Sequence, residues 1–239
     1  MVTLIKNEIR RFAGTPTALL LLGITFCLQL LGTVFIFKSL DVQVGEIAQT
    51  PFQKAMLIFL GFSGLVSLVV NGIINYFVTS TEHNNHTWEL LLLGIGKKNK
   101  ILFSKYFTVI LSLISYQLLS TIFFVIVTQT NLSLVIDWSM VFLVLSSTIF
   151  FSLLTMTLQF CTHLLIKNSI SALSSVIILI LLQTLFASNP IFVYVFPING
   201  ISYLITSSVL NPMIILLITL GNIIWSGAVL LVTTKKFHL

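Results

Sequence analysis

The sequence predicts an all-α integral membrane protein with six transmembrane helices, and three observations lead to this fold class. Hydrophobic residues make up 57% of the 239 residues and charged residues only 8%, whereas a soluble domain carries about 25% charged residues. Six apolar stretches have about 20 residues each, the length of helix that crosses a bilayer. Lys and Arg are concentrated on alternate connections between these stretches. A soluble fold is therefore excluded, as are disorder and, with only two cysteines, a disulfide scaffold.

The segment before the first span has the pattern of an amphipathic helix. Val2, Ile5, Ile9 and Phe12 recur at helical spacing, and basic side chains lie off this apolar stripe. Such a helix would lie on the inner leaflet as an N-terminal elbow, with its cations facing anionic lipid. A frayed, charged leader is the alternative.

The six predicted spans contain no Asp, Glu, Lys, Arg or His, and all five prolines lie outside them. The spans are residues 18–37, 55–77, 106–127, 140–160, 169–187 and 213–232. Helix-breaking residues and charges therefore agree with the apolar runs on the boundaries. The alternating polarity of barrel strands is absent, so residues 1–239 are predicted to form a single transmembrane domain.

The distribution of basic residues predicts the orientation of these spans. Only Lys38 and Lys54 fall on one side. The other side holds Lys6, Arg10, Arg11, Lys97, Lys98, Lys100, Lys105, Lys167, Lys235 and Lys236. By the positive-inside rule the second side is cytoplasmic. Both termini and the connections 78–105 and 161–168 are therefore expected in the cytoplasm.

The connection at 188–212 is unusual because it carries no charge. Its run 191–196 is apolar and is followed by Pro197, Asn199 and Gly200, which is too apolar for a solvated loop and too interrupted for a good span. Short re-entrant helices between spans five and six are predicted, since non-helical backbone at membrane depth needs protein around it. A seventh span would move Lys235 and Lys236 outside, against the charge rule.

The polar side chains within the spans are amides and hydroxyls. Transporters driven by protons or sodium through carboxylates need ionisable groups at membrane depth, so that class is excluded. A polar translocation path is predicted to be lined by Gln29, Asn71, Asn75, Gln117 and Asn222. Interhelical hydrogen bonding is the alternative role for these amides.

Three motifs that suggest chemistry are incomplete. The run Gly-Ile-Gly-Lys-Lys at 94–98 lacks the spacing and the Ser or Thr of a Walker A loop. Ser63 in Gly-Phe-Ser-Gly resembles the nucleophile of rhomboid proteases, but His163, the nearest candidate base, is predicted at the opposite end of the bilayer. His83 and His86 are a weak zinc pair, and no basic run interleaved with aromatics indicates nucleic-acid binding. The chain is predicted to have no catalytic, metal or cofactor site of its own and not to be an enzyme.

The connection between spans two and three has the strongest pattern. It contains Glu82, Thr87-Trp88-Glu89 and four leucines, and it ends in a basic stretch from Lys97 to Lys105. This predicts a short helix with an acidic start and an apolar tail, then a tight turn. Glu82 and Glu89 are seven residues apart and are predicted to share a helix face that a partner could contact. An ordinary interfacial loop helix is the alternative.

This segment resembles the cytoplasmic segment of ABC-2-type transporter permeases, where a Glu-rich start, Thr-x-Glu-Leu-Leu, a turn and a basic stretch precede the third span. The matching positions are Glu82, Thr87, Glu89, Leu90, Leu91 and Lys105. Six spans, cytoplasmic termini, an elbow helix and short helices between spans five and six are also similar to that family. The chain departs from the pattern at His86, where the family often has Gly, and at 95–98, where it often has Pro-Val-Ser-Arg.

The resemblance implies the membrane subunit of an ATP-driven exporter. Two permeases, identical or homologous, would assemble with two copies of an ATPase subunit that binds ATP and Mg. The coupling residues would be Glu82, Thr87, Trp88, Glu89, Lys97 and Lys98. Glu82 and Glu89 would meet the ATPase, and Trp88 would anchor the coupling helix at the membrane interface. Lys97 and Lys98 would face lipid headgroups or the partner.

The expected substrate follows from a second similarity. A permease of this length without a large extracellular domain is similar to small bacterial subunits that export lantibiotics or peptide toxins, and abundant Ile, Phe, Asn and Lys suggest an AT-rich bacterial genome. Export of amphipathic peptides across the plasma membrane is therefore expected. Export of small drugs or lipids, and a channel or scaffold immunity protein that needs no ATP, are the alternatives.

Overall fold

A computed structural model describes residues 2–39, 50–95, 97–131, 134–186 and 212–237. Within these ranges the chain is helical apart from short turns and contains no β-strand, which confirms the all-α prediction for this part of the chain. The helices are α1 (Val2–Ala13), α2 (Pro16–Ser39), α3 (Pro51–Asn75), α4 (Thr81–Asn84), α5 (Trp88–Ile95), α6 (Lys98–Asn131), α7 (Trp138–Leu165), α8 (Ser169–Leu185) and α9 (Pro212–Lys236). A π-helical turn, Tyr76–Ser80, continues α3 into α4.

Five of these helices are long and apolar enough to cross a bilayer: α2, α3 with its continuation to Asn84, α6, α7 and α9. They are compatible with a multi-pass membrane protein. The sixth predicted span coincides with α8, which is apolar but has only 17 residues, so the count of six stays a prediction. Residues 188–211 of the segment that is predicted to form re-entrant helices lie outside the described residues.

The centre of the bundle is formed by α3 and α7. The first span, α2, packs on α3, and α9 packs on α7, while α6 and α8 contact both central helices. At Gly72 the approach of α8 is close, because an added Cβ would lie 2.5 Å from a methyl carbon of Val176. Two apolar clusters fill the two ends of the bundle, one around Phe160 and Tyr106, the other around Phe59 and Phe124.

The amphipathic N-terminal segment forms α1, which lies along α6 rather than apart from the bundle. Phe12 from its apolar stripe is buried. Pro16 occupies the first turn of α2, where its missing N–H leaves no hydrogen bond unmade. Glu8 and Arg11 bond to residues of other helices. Arg11 is nevertheless exposed, as are Lys6 and Arg10.

The segment at 82–93 does not form the single helix that its sequence predicts. It is divided into α4, which ends at Asn84, and α5, which begins at Trp88. His86 lies between them with a φ of 53°, in the left-handed region, which interrupts a right-handed helix. The basic stretch, predicted to follow a turn, belongs to the first two turns of α6.

The opposite end of the bundle is held together by helix caps. Thr50 and Gln53 form a capping box at the start of α3, and Asp137 caps α7 through the backbone N–H groups of Ser139 and Met140. Gln53 Nε2 also donates to Asp137 Oδ2 at 3.0 Å. One carboxylate therefore joins the first turns of both central helices.

We expect Asp137→Ala to lower the free energy of unfolding by about 1 kcal/mol, the usual cost of losing an N-cap. Asp137→Asn is the matched control, because its amide oxygen can still accept the two backbone N–H groups. Thermal unfolding of both variants in detergent, beside the wild type, measures the effect. Equal unfolding temperatures for wild type and Asp137→Ala would contradict the role of the cap.

The same carboxyl makes a pH-dependent contribution. Hydrogen bonds from Ser139, and next from Gln53, lower the pKa of Asp137. Because the folded state favours the carboxylate, this stabilisation is complete above the ordinary Asp pKa of about 3.9 and is lost as pH falls through the lowered, folded-state pKa. The stability advantage of wild type over Asp137→Asn should therefore shrink in acid.

Candidate functional site

The candidate site is the end of the bundle where α1, α4, α5 and the first turns of α6 meet the ends of α7 and α9. We call it the junction end. Four charged side chains at its centre form an ion cluster: Glu8, Arg11, Glu82 and Lys105. These residues come from three helices, and α1, which supplies Glu8 and Arg11, lies far from α4 and α6 in the sequence. The cluster contains two carboxylates and two cations, so it is neutral as a group.

Lys105 is the centre of the ion cluster and has no exposed side-chain surface. Its Nζ lies 3.0 Å from Glu82 Oε1 and 3.2 Å from both carboxylate oxygens of Glu8. It also donates to the backbone carbonyl of Val78 at 2.9 Å. Val78 belongs to the π-helical turn, a type of irregularity that is frequent at functional sites. An ammonium group is tolerated in a protein interior when it is paired and hydrogen-bonded in this way.

Glu82 is almost as deeply buried, with 2% of its surface exposed. One carboxylate oxygen accepts from Lys105 and from Arg11, and the other accepts from the hydroxyl of Thr87. Arg11 also pairs with Glu8 at 3.0 Å. Because its oxygens bond within the chain, Glu82 cannot offer an open carboxylate to a partner in this arrangement.

The expectation that Glu82 and Glu89 share one helix face is therefore wrong. Glu82 lies on α4 and points into the bundle, whereas Glu89 lies on α5 and is exposed. The turn at His86 separates the two helices, so the seven-residue spacing no longer sets their relative direction. Thr87, expected at the coupling surface, holds Glu82 instead.

Trp88, which is predicted to anchor the segment at the membrane interface, is enclosed by other side chains of the junction end. Only 4% of Trp88 is exposed. Its ring packs on His83 and Phe237 with centroid distances of 5.5 and 5.3 Å, and Lys105 Nζ lies 5.5 Å from the ring centroid. Trp88 therefore joins α5 to α4, to α6 and to the end of α9.

The two lysines that were expected to face headgroups or a partner have different environments. Lys97 is exposed. Lys98 donates to the backbone carbonyl of Phe237, and its Nζ lies 5.4 Å from that ring centroid. The end of α9 is thus bonded to the start of α6.

The outer side of α5 presents a surface that we call the α5 face, defined by Glu89, Leu90 and Leu93. Leu90 is 67% exposed and Leu93 83% exposed, and Glu89 is exposed beside them. Leu91 instead packs towards the buried cluster that contains Trp88. A short helix with one side anchored and exposed leucines on the other is suited to contact a partner.

Among the predicted path residues, Gln29 belongs to a hydrogen-bonded group in the middle of the bundle. Its Nε2 donates to Ser63 Oγ at 2.7 Å, and Tyr116 donates to its Oε1 at 3.2 Å. Ser63 is thereby paired with an amide, while His163 Nδ1 lies 2.6 Å from Ser80 Oγ. The structure does not bring Ser63 and His163 together.

The other four path amides are fully buried but are not joined to one another through their side chains in the hydrogen bonds described. Asn75 donates to the Asn71 carbonyl at 2.8 Å and Asn222 to the Ile218 carbonyl at 3.0 Å. The amide groups of Asn71 and Gln117 have no hydrogen-bond partner among the described residues. Buried amides normally find a partner, so these two amides are exceptions among the described residues.

Among the residues that the structure describes, the histidine pair is not part of a larger metal-ligand set. His83 Nε2 lies 3.0 Å from the carbonyl of Leu164. Within the described ranges no group of three His, Cys, Asp or Glu side chains is placed to hold a metal ion.

Sequence reasoning missed Glu8 and Arg11, half of the ion cluster. The available signal was the small number of acidic residues, six in the whole chain. Lys105, adjoining an apolar span, needs one or more of those carboxylates if it is buried.

We expect Lys105→Met to lower the free energy of unfolding by about 3–5 kcal/mol, because it leaves the buried carboxylate of Glu82 and the partly buried carboxylate of Glu8 with only the partly exposed Arg11. Lys100→Met is the matched control, since Lys100 is an exposed lysine on the same helix. The double variant Lys105→Met/Glu82→Gln should lose less than the sum of its single changes. Unfolding in denaturant is measured for these three variants and for Glu82→Gln alone. A loss from Lys105→Met no larger than from Lys100→Met would contradict the cluster.

Comparison with known proteins gives no relative from which the role of this site could be inferred. No protein-family model matches the chain, and no curated protein matches its sequence. A functional interpretation therefore depends on the junction end itself and on the pattern of residues from 82 to 105.

Proposed function

We propose that this chain is the membrane-spanning subunit of an ATP-driven exporter of the ABC-2 type. Two permeases, identical or homologous, would act with two copies of an ATPase subunit that binds ATP and Mg. The junction end would face the cytoplasm, with both termini, in the plasma membrane of a bacterium. The exposed lysines of the junction end, Lys97, Lys100, Lys167, Lys235 and Lys236, support that orientation.

The observation that supports this proposal best is the way in which α5 is attached. Its outer side, the α5 face, is exposed, while its first residue, Trp88, is buried against α4, α6 and α9. A partner that moves the α5 face would therefore move buried residues directly. An unattached loop could bind a partner but could not transmit its movement.

The ion cluster provides the next connection. Glu82 is bonded to α6 through Lys105 and to α1 through Arg11, and its own helix continues from α3 through the π-helical turn. Separating these helices would leave buried charges unpaired, at a cost of several kcal/mol. Closure of the ATPase pair would therefore displace α3 and α6 together with α5.

The substrate path would open where the buried amides lie. The side-chain amides of Asn71 on α3 and Gln117 on α6 are buried and have no hydrogen-bond partner among the described residues. A relative movement of α3 and α6 could expose them to water or to the backbone of a peptide. An amphipathic peptide suits such a path, because the path would combine amides with apolar walls.

We expect an ATPase with a Walker A motif, encoded beside this gene, to copurify with the full-length chain at one ATPase per permease. Leu90→Ala/Leu93→Ala should reduce the copurified ATPase about tenfold, which corresponds to about 1.4 kcal/mol of binding free energy. The matched control is Ile178→Ala/Leu181→Ala, because these residues of α8 are also exposed and three apart. Quantitative immunoblotting after gentle extraction measures the ratio.

The proposal fails if no neighbouring gene encodes an ATPase and the chain from its native membrane purifies alone. It also fails if proteoliposomes containing the complex release peptide equally well without ATP. Equal loss of ATPase in both double variants would show that α5 is not the docking surface.

Alanine variants of the two glutamates should distinguish a loss of coupling to the ATPase from a loss of stability. Glu89→Ala should reduce ATP-dependent export while leaving the unfolding temperature unchanged, because Glu89 is exposed. Glu82→Ala should lower the unfolding temperature, because it leaves Lys105 and Arg11 short of one carboxylate. Export from proteoliposomes and thermal unfolding are measured on the same preparations. A Glu89→Ala variant with full export would remove Glu89 from the coupling surface.

A further inference from the structure

An apolar cleft opens between α1, α2 and α6, beside the ion cluster. Its volume is about 450 Å³, and it is lined by Ile9 and Ala13 of α1, Gly23 and Phe26 of α2, and the α6 residues between Leu111 and Phe123. Twelve residue steps along α6 correspond to about 18 Å of helix. One leaflet contributes about half of the 30 Å hydrocarbon core of a bilayer. The cleft is therefore about one leaflet deep.

The wall of the cleft suits a hydrocarbon chain. Two of its polar groups are already bonded within the protein, since Ser115 donates to the Leu111 carbonyl at 2.8 Å and Tyr116 donates to Gln29 at 3.2 Å. The remaining lining is predominantly aliphatic and aromatic. A peptide backbone would find few partners there, whereas an acyl chain needs none.

Two cations lie beside the α1 part of the cleft. Lys6 and Arg10 are each three residues before a cleft residue, Ile9 and Ala13, so helical spacing places them at the edge of the apolar stripe of α1 that lines the cleft. Both are exposed. Among the described residues neither has a carboxylate within ion-pairing distance, in contrast to Arg11.

We propose that this cleft binds an anionic phospholipid of the adjacent leaflet, with an acyl chain in the cleft and its phosphate held by Lys6 and Arg10. Charge favours this occupant over a second copy of the chain. The chain has a net charge of +6 and most of its basic residues belong to the segments at the junction end, so a second copy would bring like charges together. The proposal does not depend on the exporter assignment.

The occupant would also affect the ion cluster. The helix that supplies Lys6 and Arg10 also supplies Glu8 and Arg11 to Glu82 and Lys105. A bound phospholipid would therefore hold α1 against α2 and α6 on one side while the cluster holds it on the other.

The test uses the full-length chain in phosphatidylcholine nanodiscs that contain a trace of phosphatidylglycerol with a photoreactive acyl chain. We expect cross-links in peptides that cover residues 19–26 and 111–123. Unlabelled phosphatidylglycerol should compete about tenfold better than unlabelled phosphatidylcholine, as two surface cations allow. Equal competition by the two lipids, or cross-links spread evenly over the outer helices, would overturn the proposal without any variant.

Two matched pairs of variants test the two parts of the site. Gly23→Leu should lower cross-linking severalfold, because Gly23 lines the cleft and an added Cβ meets no atom within 4 Å. Gly227→Leu is its control, since it has equal space on α9 outside the cleft. Lys6→Gln/Arg10→Gln should abolish the preference for phosphatidylglycerol, whereas the exposed pair Lys97→Gln/Lys100→Gln should keep it.

The same experiments distinguish a bound phospholipid from two other occupants of the cleft, a second copy of the chain and a peptide substrate. If Gly23→Leu converts a dimer to a monomer by light scattering and leaves lipid cross-linking unchanged, the cleft is an interface between copies of the chain and the lipid proposal is wrong. If an amphipathic peptide displaces the photoreactive lipid and phosphatidylglycerol does not, the cleft belongs to the substrate path and the lipid proposal is again wrong.

Discussion

A lysine ammonium that is fully enclosed by protein must have carboxylates beside it, and Lys105 imposes this requirement on the junction end. Glu82 and Glu8 meet it from positions 23 and 97 residues away in the chain. Arg11 balances the second carboxylate. Because loss of one partner leaves a buried charge unpaired, α1, α4 and α6 are held as a group. The N-terminal helix is thus a component of the bundle rather than a free surface anchor.

The conformation of the segment between α3 and α6 is tied to the ion cluster. The π-helical turn places the carbonyl of Val78 within reach of Lys105, and the turn at His86 changes the direction of the chain between α4 and α5. Trp88 then fixes the first turn of α5 against Phe237. The result is a helix whose inner side is immobilised and whose outer side carries exposed Leu90 and Leu93. Such an arrangement suits the proposed transfer of movement from an ATPase to the membrane helices.

The interior of the bundle differs from the junction end in that its polar groups are neutral. Gln29, Ser63 and Tyr116 satisfy one another, which stabilises the packing of α2, α3 and α6 by an amount typical of interhelical hydrogen bonds, about 0.6–2 kcal/mol each. Asn71 and Gln117 lack such partners among the described residues. Ion pairs centred on the buried Lys105 thus connect the helices at one end, whereas the amides of Asn71 and Gln117 are buried without a described partner.

The sequence by itself determined the all-α membrane class and the positions of the long apolar helices, because hydrophobic length and the placement of charges are local properties of the chain. It also identified the segment from 82 to 105 as distinctive. Only the tertiary structure decided which charges in that segment are buried. Glu82 and Glu89 are both glutamates of the same segment, yet Glu82 is paired with Lys105 and Glu89 is exposed. That difference depends on Glu8 and Arg11 arriving from the N-terminus and on the backbone turn at His86. Such long-range ion pairs and a single positive φ leave no periodic signal in the sequence.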